Sequence, residues 1–364
     1  MREILRIVVA VVFILSGFVK AVDPKGFAFK LEEYFSPSVF NLPFLEKFSL
    51  ALAIVIVAIE FLLGVMLLLK IRVRRALWIL FAMCVFFAFL TFYSAYFNVV
   101  TDCGCFGDAL KLTPWGSFTK DIILLLLIII LLRQYSRGTE NGLKLHKSNF
   151  VKLITFSLSC VLLLIFIIGG VIGEPLIDFR DYKIGTDLNA VRKKIEENPA
   201  QYKVIYTLKN LKTGEEKAIS QDDYISSNIW ENEDWEIQSD KTEEKMVKEG
   251  FDSEIKQFRI LNPEGEDITE NILSAPKMFM VFSYRPEKLS PSKIQGLEKG
   301  MQNLKKKGYQ IIAVSTDNDI FSNVPHGTMD ATAIKTIGRS NPFILILEKG
   351  KIIFKHEARN YFNK

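Results

Sequence analysis

Asp102-Cys103-Gly104-Cys105-Phe106-Gly107 sets two of the chain's four cysteines one residue apart, between an apolar run over residues 76–96 and another over 118–132. Two thiols this close form a redox pair, a static bridge or half of a metal site. The compartment decides among these, because disulfides persist in oxidising compartments and are rare in the cytosol. The side of the membrane that the segment faces is therefore the first question.

Five runs, 4–22, 50–69, 76–96, 118–132 and 150–172, approach the roughly 20 apolar residues a helix needs to cross about 30 Å of hydrocarbon. The fourth is short, but Trp115 and Phe118 suit a membrane interface at its start. The first could instead be a cleaved signal peptide. It lacks a small-x-small cleavage site and continues into Lys20, Asp23 and Lys25, which favours a retained span.

Charge placement orients the spans. Residues 70–75 carry Lys70, Arg72, Arg74 and Arg75 and no acid; the loop before the fifth run carries Arg133, Arg137, Lys144 and Lys147 against Glu140. Both loops read as cytoplasmic by the positive-inside rule, and Arg2 and Arg6 agree. Cys103, Cys105 and everything after Gly173 then fall outside, in the periplasm or its equivalent. Through Gly173 the chain holds 17 Lys and Arg against 10 Asp and Glu; the rest holds 29 against 31. The basic excess thus belongs to membrane loops, and no nucleic-acid partner is expected. A bacterial cytoplasmic membrane is the expected location.

Beyond Gly173 the composition becomes that of a soluble domain. Residues 202–208 and 216–220 flank Asn210 to Gly214 as a strand–turn–strand pair. Residues 174–255 are read as a small α+β region. From about Phe258 the expected order is a strand at 258–261, a buried strand at 278–284, a helix at 292–307, a strand at 309–315, then a proline and two strands at 343–347 and 352–356. That order resembles a thioredoxin fold, in which the proline before the third strand is cis. Asn341-Pro342 takes that place, and X–Pro is the common home of a cis bond. The resemblance departs where a Cys-x-x-Cys should follow the strand at 278–284. The chain reads Ser283-Tyr284-Arg285-Pro286 there, and no cysteine follows Cys160. Thiol exchange needs a thiolate, so this domain cannot run it alone. It reads as a docking or client-binding domain.

Ser16-Gly17-Phe18-Val19-Lys20 with Asp23-Pro24-Lys25-Gly26, Glu60-Phe61-Leu62-Leu63-Gly64 and Cys103-Gly104-Cys105-Phe106-Gly107 resemble the MauE/DoxX-like membrane families over about residues 1–132. The resemblance implies a four-helix membrane unit linked to disulfide formation in envelope proteins and similar to quinone-coupled oxidoreductases. A membrane quinone and an envelope client protein are the partners it implies. It does not imply a role in methylamine oxidation.

The residues carry the same two readings. A disulfide between positions i and i+2 closes a very small ring, which favours a labile redox bond, and Gly104 permits the backbone angles. A static loop bridge is the alternative. Zinc or iron is disfavoured, because two thiolates supply half a tetrahedral site and no His lies near in sequence. His146 falls on the opposite side, and His326 and His356 lie in the ectodomain. Cys84 and Cys160 fall mid-span and read as small buried hydrophobes, so a second relay pair is missing. Glu60, midway along the second span, is costly in hydrocarbon and reads either as a proton-transfer group or as an interhelical hydrogen bond. Lys20 is expected to snorkel at the outer boundary. Asp102, Asp108 and Asp121 would disfavour a thiolate nearby.

The expected architecture is an α-helical membrane bundle followed by α+β and thioredoxin-like α/β domains. Its divisions are 1–135 (four-helix unit), 136–173 (cytoplasmic loop and fifth span), 174–255 (α+β region) and 256–364 (thioredoxin-like, without Cys-x-x-Cys). The site candidates are Cys103, Cys105 and Glu60, with Pro342 as a structural cis proline. Two functions stand: a membrane thiol–disulfide oxidoreductase or maturation factor, and a non-enzymatic membrane-anchored scaffold with a structural cysteine loop.

Overall fold

The computed structural model describes residues 1–100, 104, 106–135, 147–248, 250–358 and 361. Its first half is helical: α1 (Arg2–Val22), α2 (Pro24–Phe35), α3 (Pro43–Glu46), α4 (Ser49–Leu68), α5 (Val73–Phe97), α6 (Pro114–Tyr135) and α7 (Lys147–Ile172). Five of these, α1 and α4 to α7, are long and apolar enough to cross a bilayer. The chain is a multi-pass membrane protein. The fourth span is longer than its apolar run suggested, because α6 begins at Pro114, a favoured first position of a helix.

Helices α1 and α4 pack closely because small residues let their backbones approach. A Cβ added at Gly17 would lie 2.8 Å from the Phe61 backbone nitrogen, and one at Gly64 would lie 2.9 Å from the Ile14 backbone nitrogen. This small-residue seam is a membrane-helix device, since lipid provides no hydrophobic drive to association. The sequence reading had no element for α2. Asp23 stops α1 and starts α2: its Oδ1 accepts from the Gly26 N–H at 2.9 Å, with Pro24 in the first turn. The chain thereby turns at the end of the bundle where α1 stops.

The second half holds two sheets. After α8 (Leu188–Glu197), strands β1 (Gln201–Asn210), β2 (Glu216–Ser220), β3 (Trp235–Ile237) and β4 (Glu243–Lys248) form an antiparallel sheet in which β2, β3 and β4 all pair with β1. A short α9 (Gln221–Ser226) follows β2. The other sheet is built from β5 (Met278–Ser283), β6 (Gln310–Ser315), β7 (His326–Thr328), β8 (Phe343–Glu348) and β9 (Lys351–Glu357), in the order β7-β6-β5-β8-β9. β5, β6 and β7 run parallel; β8 and β9 are antiparallel additions. Helices α10 (Thr269–Ser274), α11 (Pro291–Lys306) and α12 (Ala331–Ile337) complete it. Every residue of β5 is buried, which explains its unbroken apolar run.

The Asn341–Pro342 bond is cis. The strand expected at 258–261 is reduced to isolated bridges from Leu261 to Asp267 and Thr328. Phe258 and Ile260 are apolar because they enter the core, not because they form a ladder.

Candidate functional site

The membrane bundle and the five-stranded domain meet around a cleft of about 870 Å³. Lys20, Phe27 and Lys30 come to it from the helical half, Gly104 and Gly107 from the loop between α5 and α6, and Arg285 and Arg339 from the C-terminal domain.

At its membrane end lies a buried charge pair. Lys20 Nζ is 2.7 Å from Glu60 Oε2 and donates to Ser16 Oγ at 3.2 Å. Both charged side chains are under 5% exposed. The rings of Phe27 and Phe87 each stand 5.3 Å from the ammonium. Lys20 does not snorkel: one helical turn from Ser16 along α1, it turns inward to the acid that α4 presents. Glu60 faces the bundle interior and is paired, so the two costly charges compensate each other.

The C-terminal domain reaches the bundle through the loop before Pro342. Arg339 is 6% exposed and uses all three guanidinium nitrogens. Nε donates to Asp23 Oδ2 at 2.7 Å, Nη2 to Asp108 Oδ2 at 2.6 Å and Nη1 to the Lys335 carbonyl. Burial works against its charge, but Asp23 and Asp108 outweigh that and hold it above its ordinary pKa. Beside it, Arg285 donates to Glu32 of α2 at 2.7 Å, and the Phe29 and Tyr284 rings meet edge to face at 5.6 Å. Burial pushes the Tyr284 hydroxyl up to about 12.

Asn341 closes the C-terminal domain's own end of the site. Its Oδ1 accepts from the Ser283 hydroxyl at 2.8 Å and the Tyr284 N–H at 3.1 Å, and its Nδ2 donates to the Arg285 carbonyl at 2.9 Å. The segment that stands where a Cys-x-x-Cys was sought is thus fastened to the proline loop.

Behind this loop lies a second buried cluster. Glu174 Oε1 accepts from the Arg339 and Ser340 N–H groups at 2.8 and 2.7 Å, while Oε2 accepts from Arg180 at 2.9 Å. Arg180 also donates to Asp178 at 2.7 Å, and Lys355 meets Asp178 and donates to the Tyr182 carbonyl at 2.6 Å. Burial raises the Glu174 and Asp178 pKa values, but Arg180 and Lys355 prevail and hold both below the usual carboxylate range. Burial, then Arg180, pulls Lys355 down to about 8 against the attraction of Asp178 and Glu174.

Cys103, Cys105 and Asp102 lie outside the described residues. Gly104, peptide-bonded to both cysteines, has φ +66°, and a Cβ there would lie 3.1 Å from Lys30 Cγ. Asp108 is paired with Arg339, which it shares with Asp23, and Asp121 with Lys120 at 2.6 Å. Cys84 is buried and Cys160 half-buried, both free. Among the described residues, no three His, Cys, Asp or Glu side chains gather as a metal cage.

Sequence reasoning missed Arg339, Glu174, Asp178, Arg180 and Lys355. The only available signal was position: Arg339 lies three residues before the proline already singled out.

No curated protein and no solved structure matches the chain. The first 134 residues, which supply the Lys20–Glu60 pair, Asp23, Gly104 and Asp108, match the family model of the methylamine utilisation protein MauE and are similar to that family over that length.

Proposed function

We propose that this protein is a membrane thiol–disulfide oxidoreductase, or a maturation factor with that role, for proteins of the bacterial envelope. Cys103 and Cys105 are its redox pair. The observation that carries this reading is the place of Gly104, the residue joining the two cysteines, in the wall of a cleft open to both halves of the molecule. The four-helix unit, residues 1–135, performs the chemistry, and residues 136–173 supply the cytoplasmic loop and fifth span. The basic loops at 70–75 and 133–147 support a reading in which the cleft and residues 174–364 lie outside the cytoplasmic membrane. Residues 256–364 are thioredoxin-like in strand order and in the cis proline, and serve as a fixed wall of the cleft without thiol chemistry of their own.

In the client step, two client thiols are oxidised to a disulfide while the Cys103–Cys105 disulfide is reduced to two thiols. The bond within the loop breaks, a mixed disulfide forms, and the second client thiolate resolves it. The two client protons pass to the loop cysteines, so the step is balanced without an outside oxidant. A membrane quinone would supply the two-electron oxidation that resets the pair. Lys20 fits its carbonyl: Lys20 lines the cleft between two phenyl rings, and its ammonium has three donors, of which Glu60 and Ser16 take two. Glu60 holds that ammonium in place and is the nearest group able to exchange a proton with it.

The second reading is a membrane-anchored scaffold with a structural cysteine loop. The lack of cysteine beyond Cys160 and the burial of Cys84 favour it, because no second pair stands ready to relay electrons. Complementation of a deletion strain by the Cys103→Ser, Cys105→Ser chain separates the two. The redox reading expects loss of function with normal insertion; full activity would favour the scaffold.

A further inference from the structure

At the end of the bundle away from the cleft, where α1 begins and α4 turns into α5, positive charge is left without a partner. Glu3 gathers three cations there, Lys70 at 2.8 Å, Arg6 at 3.1 Å and Arg2 at 3.7 Å, and accepts from the Tyr135 hydroxyl at 3.3 Å. Arg6 also closes the last turn of α4 by donating to the carbonyls of Leu67 and Leu68. Arg72, Arg74, Arg75 and Arg133 remain. All four are exposed, and among the described residues none forms an ion pair. The turn holds Lys70 at φ +59° and Arg72 at φ +43°, left-handed angles at which a side chain is strained. Arg72 precedes α5, Arg74 and Arg75 lie in its first turn, and no acid accompanies them. Cations at the start of a helix oppose its dipole, and a bound anion relieves that conflict. Arginine forks match the geometry of phosphate oxygens. The surroundings say which phosphate fits. Trp78 and Ile79 follow Arg74 and Arg75 by one turn and are 53% and 47% exposed, on a helix long and apolar enough to cross a bilayer. Tryptophan suits the level of lipid headgroups. The first turns of α5 share a core with the last turns of α6, through Val73, Leu77 and Leu131, which brings Arg133 to the same rim. Charge at the rim thus continues into an exposed apolar wall, the pattern of an amphiphile with an anionic head.

We propose that Arg72, Arg74, Arg75 and Arg133 form a binding site for the phosphate headgroup of an anionic phospholipid, with Trp78 and Ile79 meeting its glycerol and upper acyl region. The site lies at the opposite end of the bundle from the cleft and stands whether or not the chain carries out thiol chemistry. Glu3 divides the cations of this end into two sets: Arg2, Arg6 and Lys70 hold the helices together, and the four remaining arginines face the lipid.

The test uses the full chain purified in a neutral detergent and titrated separately with phosphatidylglycerol, phosphatidylcholine and inorganic phosphate. Two quantities are read: the melting temperature, and the lipid retained in native mass spectra. Phosphatidylglycerol should raise the melting temperature and stay bound; phosphatidylcholine and inorganic phosphate at the same concentration should do neither. Each cation beside an anionic headgroup contributes about fivefold, so the triple variant Arg72→Gln, Arg74→Gln, Arg75→Gln should bind phosphatidylglycerol roughly a hundredfold more weakly, and Arg133→Gln about fivefold more weakly. The matching triple change to lysine keeps the charge without the fork and should fall between the parent and the glutamine triple. Lys305→Gln, Lys306→Gln, Lys307→Gln removes the same charge at the exposed end of α11 and should bind like the parent. An equal response to phosphatidylglycerol and phosphatidylcholine would overturn the site. So would an α11 triple that loses as much affinity as the arginine triple, because attraction would then follow net charge alone. Inorganic phosphate matching phosphatidylglycerol would overturn the lipid assignment in favour of a soluble anion. The lipid preference of the parent chain decides the question even where a variant fails to fold.

Discussion

Two of the places in which the molecule buries charge are built differently. In the bundle, Lys20 and Glu60 face each other across two helices, with one hydroxyl and two phenyl rings for company. Behind the proline loop, Glu174 and Asp178 meet Arg180, Lys355 and the Arg339 backbone in a network that also satisfies main-chain carbonyls. A network fixes many elements at once: here the segment leaving α7, the loop before β8, and β9. A lone pair between two helices fixes little that the small-residue seam of Gly17 and Gly64 does not already fix. Buried ion pairs are weak sources of net stability, because desolvation consumes much of their attraction. The comparison therefore assigns architecture to the network and leaves the pair available for chemistry.

The sharpest way to break this division is Arg180→Met. It leaves Glu174 and Asp178 buried with one cation fewer, and removing one partner of a buried ion pair costs about 3–5 kcal/mol. The C-terminal domain of the whole chain should then become protease-sensitive at markedly lower urea, measured by pulse digestion across a denaturant series. Unchanged resistance would mean that the network does not hold that domain together.

A smaller effect is expected from pH, through Lys355. Its folded pKa of about 8 lies below the ordinary 10.5. Between those values the unfolded chain binds the proton that the folded chain has released, so stability rises as pH increases from about 8 to 10.5. The Glu174 and Asp178 contributions have the same sign at the acid end: their folded values are depressed, so their stabilisation is present above the ordinary carboxylate range and is lost as pH falls through the folded values. Protease resistance of the C-terminal domain should therefore climb above pH 8, and Lys355→Met should remove that climb. A flat profile in the parent chain would contradict the assignment of Lys355.

Much of the architecture was legible because it rests on patterns a chain cannot hide. Runs of apolar residues at membrane length gave the spans, and the all-buried strand at Met278–Ser283 showed as a continuous apolar run. Asn341-Pro342 was visible because few dipeptides can be cis. The charged seam was not legible. Arg339 and Asp108 are 231 residues apart, and nothing local distinguishes a buried arginine from a solvated one. Lys20 was misread for a related reason. Its position near the end of an apolar run fits snorkelling, and only the fold brings Glu60 to it across 40 residues of chain. Short elements were lost too: α2, with its mixed charges, and the three-residue β7 leave little periodicity to detect.

The smallest expected change in stability is also the most informative about function. In Lys20→Met, Glu60→Met, both charges leave together and two flexible apolar side chains fill the space between α1 and α4. Replacing a buried ion pair by hydrophobic residues of similar volume is often neutral or stabilising, and methionine adapts to irregular gaps. The double variant should insert normally, with a detergent melting temperature close to that of the parent. Either single change leaves one charge unpaired in the bundle and should be clearly worse. If Lys20 and Glu60 were only a fastening between helices, the double variant would also function normally. If they serve the cleft as a donor and a proton-exchanging partner, it should be stable and inactive, with Cys103 and Cys105 still accessible to alkylation. A stable, fully active double variant would therefore make the pair structural and leave the cleft without its membrane-side chemistry.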